Sequence, residues 1–120
     1  MNTEKTILIV DDDPSFSRTL ADILEVEGFL VTTVTQGIKA LAWVEEKTTD
    51  VAIVDLKLND LPGLDVIAGI IKRSPKTKCI VLTGFASQTS YKNALDLGVI
   101  SYIEKPYNVE ELLSTIRKAT

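Results

Sequence analysis

The chain contains no histidine. That absence removes the usual general base at neutral pH, the commonest nitrogen ligand of zinc and the commonest phosphoryl-carrying side chain together, so serine-hydrolase and zinc-enzyme readings lose most of their support. Cysteine is nearly absent as well. Cys79 alone cannot close an internal disulfide, and its place in the run Cys79-Ile80-Val81-Leu82 marks a small buried hydrophobe without a redox role. Basic charge is not in excess: 13 Lys and Arg stand against 17 Asp and Glu, net −4. A protein that binds the phosphate backbone through counterion release has the opposite balance, so direct nucleic-acid binding by this domain is not expected. Long hydrophobic runs are missing too. Ile7 to Val10 is followed by three aspartates, which is too short for a signal-peptide core or a bilayer span, and the expectation is a cytoplasmic protein without a membrane segment.

What is present is enough apolar material for one core. With 120 residues, 45% of them hydrophobic, the chain reads as a single domain, 1–120. Short β-rich runs at Thr6–Val10, Leu30–Val34, Val51–Val54, Cys79–Thr83 and Ile100–Glu104 alternate with helical patterns, and three are nearly continuous Ile, Leu and Val, as strands buried on both faces should be. Between them, Phe16, Leu20, Ile23 and Leu24 recur at helical spacing, as do Ile67, Ile70 and Ile71, and Val109, Leu112, Leu113 and Ile116. Asp13-Pro14 offers a cap acceptor before a proline suited to the first helical turn, and Gly28 sits where that helix should stop. Asn108 with Glu111 three residues on is close to a capping box, and Asn59-Asp60-Leu61-Pro62-Gly63 is a cluster of turn formers. The order is (βα)5. It predicts an α/β fold, a doubly wound, five-stranded parallel sheet with helices on both faces; for the flavodoxin-like strand order 2-1-3-4-5, the ligand-binding point lies beyond the carboxyl ends of strands one and three.

The residues that fall there are chemically pointed. Asp11 and Asp12 follow the first strand, Asp55 the third, Thr83 ends the fourth and Lys105 follows the fifth. Two unit charges about 4 Å apart repel by roughly 4 kcal/mol at an effective dielectric near 20, so three carboxylates on one rim call for a positive partner. A hard cation with oxygen ligands fits best: Mg²⁺, with Mn²⁺ as the alternative, and Lys105 adds a fixed positive charge.

In sequence order, Ile7 to Val10 with Asp11-Asp12-Asp13-Pro14, Val54-Asp55-Leu56, Leu82-Thr83-Gly84 and Tyr102-Ile103-Glu104-Lys105-Pro106 resemble the successive signatures of response-regulator receiver domains. The resemblance spans almost the whole chain. It implies a two-component signalling switch, not an enzyme acting on a separate substrate: Asp55 takes a phosphoryl group from a phosphohistidine donor and loses it slowly by self-dephosphorylation. It also implies that Mg²⁺ is bound by Asp12, Asp55 and the Lys57 backbone carbonyl, with Asp11 acting mainly through a water, and that Lys105 contacts the phosphoryl oxygens. Thr83 would then move to the phosphoryl group and Tyr102 swing inward, switching a surface at residues about 87–119 that also allows a homodimer. A cis peptide is implied at Lys105-Pro106. Because the chain has no histidine, a histidine kinase or histidine phosphotransfer partner is implied to supply the phosphohistidine in trans or from another segment; the output partner is not specified. Lys57 would place an amine near the path of an attacking water and alter phosphoryl lifetime.

Plainer readings stand beside these. Asp13 is better explained as a helix cap than as a ligand. Asp55 alone would be a solvated strand-end acid, Lys105 a surface lysine, Thr83 a β-branched strand residue, and Tyr102 and Trp43 packing aromatics. A phosphorylation-independent pseudo-receiver that binds a protein is the principal alternative, disfavoured because such a module has no use for charges that repel without metal. A phosphohydrolase or flavin enzyme on a similar sheet is poorly supported, since acids replace the phosphate-cradling loop and no second aspartate follows two residues after Asp55.

Overall fold

The computed structural model describes residues 4–120. Strands and helices alternate as β1 (Thr6–Val10), α1 (Pro14–Val26), β2 (Leu30–Val34), α2 (Gly37–Glu46), β3 (Val51–Val54), α3 (Gly63–Arg73), β4 (Lys78–Thr83), α4 (Gln88–Leu97), β5 (Ser101–Glu104) and α5 (Val109–Ala119). All strand pairs are parallel and the sheet order is β2-β1-β3-β4-β5. Strand order therefore reverses between β1 and β3, as expected.

The period of two along each strand divides the core between two layers. Ile7, Ile9, Ile53, Ile80 and Leu82 pack on one face with Leu20 and Leu24 of α1 and Leu112 and Ile116 of α5. Leu8, Val10, Val54 and Val81 pack on the other with Val44 of α2, Val66, Ile67 and Ile70 of α3, and Ala94 of α4. The three Ile/Leu/Val-rich runs are the central strands, buried throughout past Lys78 apart from half-buried Thr6; β2 and β5 are the edges and are partly exposed. Ile100, expected to open β5, lies just before it and is exposed, with its N–H donating to the Cys79 carbonyl.

The helix ends follow their local chemistry. The Asp13 carboxylate accepts from the N–H groups of Ser15 and Phe16, Pro14 fills the first turn, and Gly28 follows the α1 C-cap at φ +97°. Asn108 caps α5 through the Glu111 N–H. Two caps escaped the sequence reading. Ser87 and Ser90 form a reciprocal capping box on α4, and the Asp60 carboxylate, from the loop after β3, accepts from Gly37 N–H at 2.8 Å and Ile38 N–H at 2.9 Å to cap α2 from a distance. Trp43 packs against the second core layer, as its spacing suggested.

Candidate functional site

The site is built by chain ends of strands. Val10 and Val54 are register partners on β1 and β3, so Asp11 and Asp55 are the next residues out on adjacent strands. Each is held at its backbone: Asp11 N–H donates to the Val34 carbonyl and Asp55 N–H to the Val10 carbonyl. Lys105 N–H donates to the Thr83 carbonyl, which places the residue after β5 over the end of β4. On the other flank, Gly63 N–H donates to the Leu56 carbonyl, and a Cβ at Gly63 would collide with the Asp55 and Leu56 backbone. Only glycine lets α3 start this close to the turn that carries Asp55.

These backbones converge five predicted side chains. Asp55 is 4% exposed; one of its oxygens accepts from the Thr83 hydroxyl at 2.8 Å and from the Lys57 N–H at 3.2 Å, and the other from the Lys105 ammonium at 3.1 Å. Asp11, 3% exposed, accepts from the Asp13 N–H at 2.9 Å and from Lys105 at 2.8 Å. Carboxylate oxygens of Asp11, Asp12 and Asp55 all lie within 4.8 Å of one another. Asp13 is outside this group and serves as the α1 cap.

Burial pushes the Asp11 carboxyl above its usual range, against hydrogen bonds from Lys105 and Asp13, with the neighbouring Asp55 charge adding to the rise. For Lys105, burial acts to lower the ammonium's pKa, but its bonds and charge interactions with Asp11 and Asp55 outweigh that and hold it above the usual lysine value. The single ammonium is shared between Asp11 and Asp55. Three carboxylates against one ammonium leave two formal negative charges, and a donor set made only of oxygens suits a hard divalent ion. The residues fit Mg²⁺, with Asp12 half-exposed and Asp11 already committed at both oxygens.

The remaining predicted residues divide. The Thr83 hydroxyl, expected to reach the site only after modification, already donates to Asp55, because β4 carries it inward with no exposure at all; it also accepts from the Phe85 N–H. Tyr102 lies away from Asp55: its hydroxyl bonds the Ser90 hydroxyl at 2.6 Å and accepts from the Ser87 N–H, and its ring meets Tyr91 edge to face at 5.2 Å. The Lys57 ammonium sits 4.4 Å from the centroid of the Phe85 ring, on the rim rather than over the acids. Lys105-Pro106 is cis. Burial pushes the Cys79 thiol up to about 12, in keeping with an inert core residue. Sequence reasoning missed Phe16, whose ring lies 4.0 Å from the Lys105 ammonium; its helical spacing signalled only packing.

The comparisons with known proteins agree with this geometry. The family model described as response regulator receiver domain matches residues 7–117. The chain is 37% identical over 113 residues to the acid tolerance regulatory protein ActR of Rhizobium meliloti, covering 94% of this chain and 58% of that protein. It is 36% identical over 114 residues to the transcriptional regulatory protein KdpE of Mycobacterium tuberculosis, covering 94% and 50%. This chain thus spans about half to three-fifths of the length of these relatives. A CheY-like receiver domain from Methanospirillum hungatei superposes with a TM-score of 0.94 at 35% identity, over 97% of this chain and 93% of that one. A Burkholderia pseudomallei response regulator with a phosphorylated aspartic acid, calcium ion and citrate superposes at 0.89 with 34% identity, over 93% and 66%. With the family model covering nearly every residue from β1 to α5 and the acidic pocket assembled where the sheet reverses, the chain belongs to the response regulator receiver domain family.

Proposed function

We propose that residues 1–120 form one receiver domain that accepts a phosphoryl group on Asp55. The observation that carries this is the Asp55 carboxylate, buried yet held by Lys105, Thr83 and the Lys57 N–H at the reversal point of the sheet. An Asp55 oxygen attacks phosphorus in line, the bond from phosphorus to the donor's leaving group breaks, and an acyl phosphate results. Asp12, Asp55 and the Lys57 backbone carbonyl would hold Mg²⁺, with Asp11 acting mainly through a water, and the bound ion would supply charge neutralisation for the phosphoryl oxygens. Lys105 gives a second, fixed positive charge, and Thr83 a hydroxyl already aimed at Asp55. The phosphoryl group comes from the phosphohistidine of a kinase or phosphotransfer protein in the cytoplasm, and slow hydrolysis at Asp55 resets the switch.

The readout runs through Tyr102 to α4. Of the large apolar side chains exposed among the described residues, Phe85, Tyr91, Leu95 and Ile100 fall between β4 and β5 in the chain, and Tyr91 meets the Tyr102 ring edge to face. This face, with β5 and α5, receives the output partner or a second copy. Lys57 governs phosphoryl lifetime from the rim, so Lys57→Ala changes the dephosphorylation rate; an unchanged rate removes it from the account. The reading is tested by intact mass after incubation with acetyl phosphate and Mg²⁺. One phosphoryl adduct, lost in Asp55→Asn and with chelator, is expected. No adduct even from a phosphorylated histidine donor favours the pseudo-receiver instead.

A further inference from the structure

Two of the three N–H bonds of the Lys105 ammonium are used by Asp11 and Asp55. The remaining side faces an aromatic wall. The Phe16 ring centroid lies 4.0 Å from the nitrogen, and Tyr107 meets Phe16 edge to face, with centroids 5.9 Å apart and planes at 87°. Both rings are partly buried and packed on the layer of core shared with α1 and α5. Their placement is local in origin: the Asp13 cap binds the Phe16 N–H and fixes the first turn of α1, while Tyr107 follows Lys105 by two residues. A lysine stem is flexible and its ammonium a compact point charge, so without a wall it has several rotamers that reach solvent. A ring face attracts a cation while excluding water from that side.

We propose that Phe16, braced by Tyr107, is a positioning residue for phosphoryl transfer, holding the Lys105 ammonium at the Asp55 carboxylate through its ring face. It rests on the phosphoryl-transfer reading above. The ring does not touch the reacting atoms; it narrows the arc in which the ammonium moves, so that the charge is in place when phosphorus approaches. The interaction depends on the ring's electron density, which separates it from simple packing.

The test places phenylalanine and its mono-, di- and trifluorinated analogues at position 16, with the rate of phosphorylation by acetyl phosphate measured with Mg²⁺. Fluorination drains the ring face while nearly preserving its shape. The logarithm of the rate should fall steadily along the series, by about 2- to 30-fold in all. Phe16→Leu should be slow and Phe16→Trp close to wild type. In the same proteins, the Lys105 ε-methylene protons should resonate upfield from the ring current in wild type and return to ordinary positions in Phe16→Leu. A flat fluorine series on a protein that does form the adduct overturns this inference and leaves the phosphoryl-transfer reading standing. Absence of any adduct on wild type overturns both.

Discussion

Asp11 shows how a single residue trades stability for a site. Its carboxyl is buried beside Asp55, and burial raises its pKa despite two hydrogen bonds. The folded protein therefore binds more protons than the unfolded chain from the unfolded value of about 3.9 upward, so stability declines as pH rises through the folded pKa and the penalty is complete above it. Asp11→Asn, measured in metal-free buffer by urea unfolding, should be more stable than wild type at pH 7, with the difference shrinking towards pH 4. A less stable variant at pH 7 would mean that the Lys105 bond outweighs the burial. At this scale the sequence was most informative for residues whose place follows from strand ends: Asp11, Asp12, Asp55, Thr83 and Lys105 meet because each closes or follows a central or neighbouring strand. It placed Phe16 on a helical stripe and Lys57 beside the site, but the cation–ring stacking of each depends on side-chain direction around the rim, which neither period nor spacing encodes.

Among the elements, α1 and α5 were legible because cap, stripe and stop signal coincide. α4 was not: of its residues only Ala94 is buried, so Gln88–Leu97 carries no apolar stripe, and its start rests on the serine pair Ser87 and Ser90. α2 buries Gly37, Ala40 and Val44 at helical spacing but lacks a local side-chain cap, and its cap comes from Asp60, 23 residues beyond Gly37. The Ile38 and Gly37 N–H groups hold the Asp60 carboxyl below its usual range. Its contribution is present above the unfolded pKa and is lost as pH falls through the depressed folded value. Asp60→Asn should lower Tm at pH 7, with the gap to wild type closing as pH approaches 3; a gap independent of pH would assign the loss to something other than the charge. Gly63 has a different part, since a side chain there meets backbone that cannot yield. Gly63→Ala should cost about 1–3 kcal/mol in urea unfolding and slow phosphorylation by displacing the Asp55 turn.

For the molecule as a whole, the alternation with right-handed crossovers made a doubly wound parallel sheet legible, whereas the particular order β2-β1-β3-β4-β5 matched the flavodoxin-like expectation and is not dictated by alternation. The face proposed for output was less visible. Tyr91 and Leu95 are four apart on an exposed helix surface, Ile100 lies in a loop, and the sequence shows no hydrophobic run there. The concentration of charge at one edge of the sheet also predicts how the fold responds to metal. Mg²⁺ binding only the folded form should stabilise it by about 2.7 kcal/mol at one hundred times Kd, and chelator should reverse this. Asp12→Asn should abolish most of that gain while leaving metal-free stability near wild type or above it. A full Mg²⁺ response in this variant would remove Asp12 from the ligand set.

The switch turns on one bond, that between an Asp55 carboxylate oxygen and phosphorus. Borohydride reduces an acyl phosphate to the alcohol, so reduction after phosphorylation, followed by peptide mass spectrometry, reads the modified position directly. Homoserine at position 55, dependent on Mg²⁺ and on the phosphodonor, is the predicted result. Reduction product at Asp11, Asp12 or Asp13 with none at Asp55, or phosphoryl groups that resist borohydride altogether, would contradict it.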